Sequence, residues 1–134
     1  MRKLALLAAP PLAAAALLVP LALASTSAST VNVTEKEFKL TPSTTSVKAG
    51  AVTFKIKNTG ALDHTFVIIK TSRPVSKLPL KNDRVTLKPL KEAGPFKPGK
   101  GATVTLTLKP GTFVLYCNIA AHYRSGQYAR FVVK

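Results

Sequence analysis

The chain has 134 residues, with 20 Lys and Arg against 5 Asp and Glu, two histidines, one cysteine and no tryptophan. That length allows one domain with a modest core and excludes a multidomain enzyme, while a composition 46% hydrophobic and 19% charged excludes disorder driven by charge. A lone cysteine excludes an internal disulfide, and Glu35, Glu37, Asp63, Asp83 and Glu92, the whole acidic complement, offer no two residues spaced as an acid/base pair.

Residues 1–24 read MRKLALLAAPPLAAAALLVPLALA, a basic start at Arg2 and Lys3, an Ala/Leu run and the small-x-small end Ala22-Leu23-Ala24. This predicts a secretory signal peptide cut before Ser25, with Ser27-Ala28-Ser29 as a second site, and a mature domain over 25–134. The alternative, an uncleaved anchor, needs about 20 apolar residues, and Pro10, Pro11 and Pro20 interrupt this run. Export to a periplasmic, cell-envelope or extracellular location leaves an unpaired thiol to be explained as a reactive group, an intermolecular pairing site or a metal ligand. The mature chain keeps 18 basic and 5 acidic residues.

After a Ser/Thr-rich leader, Val31, Val33, Phe38 and Leu40 sit among polar residues, with a turn at Pro42-Ser43. In AVTFKIKN, Val52, Phe54 and Ile56 alternate with Thr53, Lys55 and Lys57, which predicts a half-buried strand ending at Thr59-Gly60. HTFVIIKT follows, opened by His64. The stretch from Ser72 to Gly99 is Pro- and Lys-rich, long for a plain connection, with a short strand predicted at Val85 to Leu87. From Lys70 to Lys100 it gathers nine basic residues against Asp83 and Glu92. In GATVTLTL, Ala102, Val104, Leu106 and Leu108 alternate with threonines before the turn Lys109-Pro110-Gly111, again an antiparallel-type strand. TFVLYC and QYARFVVK complete the set. No apolar period of 3.6 residues is sustained past residue 25, so the fold class is all-β, a sandwich of about seven or eight strands.

Both histidines and the cysteine fall at strand ends or in adjoining loops: His64 after NTGALD, Cys117 closing TFVLYC, His122 in NIAAHYRSG. Two imidazoles and a thiolate suit copper, and a trigonal arrangement with a weak axial partner is an electron-transfer copper site. The segments VTEKEFKLTPSTTSVKAGAVTFKIKNTGALDHTFVI and PGTFVLYCNIAAHYRSGQYARFVV resemble the cupredoxins, the blue or type 1 copper proteins, over most of the mature chain. The resemblance implies a Greek-key β-sandwich holding one copper ion, Cu(I)/Cu(II), with His64, Cys117 and His122 as equatorial ligands. The family's usual axial methionine would fall where Gln127 stands, and Met1 is the only methionine. Glutamine there resembles the stellacyanins, although the disulfide of that group is absent.

These features predict a non-enzymatic, monomeric electron carrier, with a copper-delivery or storage module as the alternative. A Cys-His nucleophile would lack an orienting third group, and a metal-free adhesion sandwich would leave the ligand set unexplained. Asp63, Thr65 and Asn118 are candidates to bond the ligands, and Ile119, Ala120 and Ala121 give the ligand loop an apolar surface. The basic excess predicts an acidic redox partner protein or contact with the anionic cell envelope. Nucleic acid is not expected, because no recognition helix or aromatic-basic interleaving is present.

Overall fold

The computed structural model describes residues 28–134, so the predicted export segment lies outside the described residues. Eleven strands and no helix are found there: β1 (Ser29–Lys36), β2 (Lys39–Pro42), β3 (Ser46–Val47), β4 (Gly50–Asn58), β5 (His64–Lys70), β6 (Leu80–Lys81), β7 (Arg84–Val85), β8 (Lys91–Phe96), β9 (Gly101–Leu108), β10 (Gly111–Tyr116) and β11 (Tyr128–Val133). One sheet has the order β2-β1-β4-β9, the other β3-β11-β10-β5-β8, and β6-β7 is a separate hairpin. The two sheets form the expected all-β sandwich, in which seven strands have six or more residues.

Alternation decides which side chains meet between the sheets. Val52, Phe54 and Ile56 of β4 and Val31 and Val33 of β1 point inward, while their neighbours are wet or half-buried. Phe54 centres this core, 5.3 Å from Phe66 and 5.5 Å from Phe131 between ring centroids. β4 and β9 pair antiparallel as their patterns predict, whereas β1 runs parallel to β4.

β5 and β10 do not alternate because both of their faces are covered. Phe66, Ile68, Phe113 and Leu115 face the inter-sheet core, whereas Val67, Ile69, Val114 and Tyr116 pack against Leu78, Val85 and Tyr123. The long Pro/Lys-rich excursion supplies this outer cover. Its anchor is the Tyr123 hydroxyl, which accepts from the Leu78 N–H at 2.9 Å and donates to the Val75 carbonyl at 2.6 Å. The single strand expected at Val85 to Leu87 is replaced by the hairpin β6-β7 and by β8, which edges β5. β8 contains Gly94-Pro95, a pair tolerated only at a sheet edge, where the missing N–H is not needed; its local composition therefore gives no strand signal.

Register then fixes the pole of the sandwich. Tyr116 lies opposite Val67 on one side and Tyr128 on the other, so the residue after β10, those opening β5 and the one before β11 share one end of the sheet.

Candidate metal centre

His64 opens β5 at a bulge in its pairing with β8. Cys117 follows β10, with its N–H donating to the Gln127 carbonyl at 3.1 Å. His122 stands in the connecting loop, which closes on itself through His122 N–H to Ile119 O (3.0 Å), Ser125 N–H to Ala121 O (3.0 Å) and Gln127 N–H to His122 O (3.1 Å). The ligand-type atoms of His64, Cys117 and His122 all lie within 4.8 Å of one another, and all three residues are buried. Nδ1 of His64 is 3.2 Å from Nδ1 of His122, and Cys117 Sγ is 3.4 Å from the second and 3.9 Å from the first. Bond lengths of about 2.0–2.3 Å in a trigonal plane put donors roughly 3.5–4 Å apart, so the cluster fits one ion.

Gln127 adjoins the cluster. It is fully buried, and its Nε2 donates to His64 Nδ1 at 2.9 Å. Its Oε1 has no hydrogen-bond partner among the described residues, an arrangement that costs about 1–3 kcal/mol unless something accepts the oxygen's lone pairs. The two ends of a side-chain amide exchange by a half-turn, which would direct that oxygen at the cluster. The donor set and the orphaned acceptor together fit a copper ion.

The protonation tendencies of the two residues point in opposite directions. Burial pushes the Cys117 thiol up, opposed by the N–H of Thr65, which donates to Sγ at 3.3 Å. Burial and the neighbouring His64 hold His122 below the usual imidazole range, which keeps a lone pair free for a metal. A metal bound there would have to displace the thiol proton.

Around these residues, the sequence-based candidates divide. Thr65 bonds the cysteine sulfur and accepts from the Asn118 N–H at 2.9 Å. Asn118 bonds no ligand side chain; its amide grips Val85, accepting from its N–H at 2.7 Å and donating to its carbonyl at 3.3 Å. Asp63 turns outward to pair with Lys97 at 2.9 Å. Tyr116, Tyr123, Phe66 and Phe113 are core. Ile119 and Ala121 are half-buried and Ala120 exposed, and Phe38, 43% exposed, sets its ring edge against His122 at 5.1 Å. His122 is itself only 7% exposed.

One participant escaped the sequence reading. Glu37 accepts from His64 Nε2 at 2.9 Å, from the Leu62 N–H at 2.7 Å and from the Ala61 N–H at 3.1 Å. Those two backbone donors, Leu62 first, pull its pKa down to about 2. Its only sequence signal is rarity, an acid in a chain with 20 basic residues.

A family model described as the cupredoxin-like domain matches residues 8–127. The chain belongs to the cupredoxin-like family. Among solved structures it is similar to auracyanin from the photosynthetic bacterium Roseiflexus castenholzii, at 26% identity and a TM-score of 0.62 over 79% of this chain and 97% of that one. It also resembles rusticyanin from Thiobacillus ferrooxidans, at 18% identity and a TM-score of 0.58 over 80% and 77%. A third likeness is to auracyanin A from Chloroflexus aurantiacus, described as a blue copper protein, at 22% identity and 0.56 over 80% and 99%. No curated protein sequence matches the chain.

Proposed function

We propose that this cupredoxin is an exported type 1 copper protein that holds one copper ion through His64, Cys117 and His122, with Gln127 as axial ligand, and passes single electrons between redox partners. The observation that carries the reading is the convergence of three buried ligand atoms within 4.8 Å at one pole of a β-sandwich. The bound ion supplies the one-electron couple, Cu(II)/Cu(I). Everything else is the work of the chain: strand register sets His64 beside Cys117, Thr65 directs an N–H at the sulfur, and Phe38 keeps water off His122.

Burial of the whole cluster favours retention of the ion and so favours a carrier over the delivery or storage alternative. The exposed apolar residues Phe38 and Leu62, 43% and 48% exposed, are joined by the exposed lysines that flank Phe38 in the chain, Lys36 and Lys39, a combination suited to brief docking with an acidic protein. The deciding experiment adds one equivalent of Cu(II) to the purified protein and records visible and EPR spectra, with Cys117→Ala as control. An intense thiolate-to-copper band absent from the control is expected. A colourless wild-type protein would defeat the proposal.

A further inference from the structure

His64 has no access to solvent, so its two ring nitrogens must be satisfied internally. Nδ1 faces the cluster, within 3.9 Å of Cys117 Sγ, 3.2 Å of His122 Nδ1 and 2.9 Å of Gln127 Nε2. Nε2 faces Glu37. An ionised carboxylate only accepts, so the ring proton belongs on Nε2 and the lone pair on Nδ1, the nitrogen that faces the cluster.

The carboxylate is seated in a built cradle. The Ala61 and Leu62 N–H groups converge on its two oxygens, a backbone arrangement that selects anions. The 58–62 turn that aims them is tied down by Asn58, whose Nδ2 donates to the Leu62 and Phe96 carbonyls at 2.8 Å and whose Oδ1 accepts from the Gly60 N–H at 2.9 Å. Gly60 leaves the room: a Cβ there would stand 2.2 Å from Glu37 Oε1 and 2.7 Å from its Cδ. Backbone, turn and glycine therefore all serve the placement of one charge on the far side of a ligand.

We infer that Glu37 is the positioning residue of the centre, fixing His64 in the tautomer that offers Nδ1 and biasing the bound ion toward Cu(II). The first half stands on the geometry alone; the second rests on the copper reading above. A carboxylate on the outer nitrogen raises the basicity of the ligand, and its negative charge stabilises the more positive oxidation state more than the less positive one.

The test uses Glu37→Gln, Glu37→Ala and Gly60→Ala in the full protein. In the copper-free state, imidazole ¹⁵N NMR should show His64 of the wild type as one tautomer with a slowly exchanging Nε2 proton, and a mixture in Glu37→Ala. With copper, Glu37→Gln should weaken Cu(II) binding about 10–100-fold and Cu(I) binding less, raising the reduction potential by about 59 mV for each tenfold difference between the two. Gly60→Ala should move the potential in the same direction without removing the acid. A role confined to folding would weaken both oxidation states equally and leave the potential in place, which would overturn the inference, as would an unchanged His64 tautomer in Glu37→Ala. Should Glu37→Ala not fold, the tautomer in Gly60→Ala decides. Should the wild type give no thiolate-to-copper band, the copper reading fails while the tautomer measurement still judges Glu37.

Discussion

The two histidines of the centre are held by different parts of the molecule. His64 stands on a core strand, wholly buried, with its outer nitrogen bonded to a carboxylate seated on backbone amides. His122 stands in a loop whose position depends on polar clasps to the β6-β7 hairpin: Asn118 on Val85, the Arg84 guanidinium on the Asn118 carbonyl at 2.6 Å, and the Ala121 N–H on the Asp83 carbonyl at 3.0 Å. Ala121 takes a left-handed φ of 68° in that contact, a conformation costly for a residue with a Cβ. The strand side is therefore fixed by the core, whereas the loop side adds to its buried Tyr123 anchor a few outer bonds that can be loosened one at a time.

The strand side carries the largest expected effect. Two residues before Glu37, Glu35 points into the core at 0% exposure with neither oxygen bonded among the described residues, and burial pushes its pKa from 4.5 to about 8. The folded state then keeps a proton that the unfolded chain releases above pH 4.5, so stability is full below that pH and falls as pH rises to about 8. The difference amounts to roughly 4–5 kcal/mol. Denaturant unfolding of the copper-free protein at pH 5 and pH 8.5 should show wild type losing several kcal/mol more than Glu35→Gln, and parallel losses would refute this.

The cluster of His64, Cys117 and His122 was legible in the sequence because His and Cys are rare here and fall at strand ends. The strands were legible where one face is wet, as in β4 and β9. Glu37 was not, because it reaches His64 only through the parallel pairing of β1 with β4, which seats Glu35 opposite Asn58 and brings the 58–62 turn over its carboxylate; no local pattern contains that pairing. The hairpin escaped for a different reason. Its strands have two residues each, too few for any period, and its turn is made by Asn82 and Asp83 with φ of 50° and 59°.

On the loop side, Asn118→Ala removes both bonds to Val85 and should destabilise the protein by about 1–3 kcal/mol. Hydrogen exchange should quicken at Val85 and Ala121 while the amides of β5 stay protected; uniform quickening would erase the contrast between the two sides. Gln127 lies between them, on the loop's last residue but against His64. With a softer thioether in its place, Gln127→Met should bind Cu(I) better relative to Cu(II) and raise the potential by about 59 mV for each tenfold change in that ratio. A potential equal to or below that of wild type would defeat the axial role proposed for Gln127.

The smallest effect separates charge from backbone within the clasp. Asp83 contributes a carbonyl to Ala121 and a carboxylate to Arg124, the latter pair with side chains 40% and 65% exposed. Asp83→Asn keeps the carbonyl and suits the left-handed backbone equally well, so it deletes only the ion pair. Exposed pairs contribute about 0.2–1 kcal/mol and are screened by salt. The variant should therefore lie within about 1 kcal/mol of wild type in stability, with an unaltered copper spectrum and a difference that shrinks as salt is added. A larger, salt-independent loss would mean that the carboxylate, and not the backbone contact, holds the loop that carries His122.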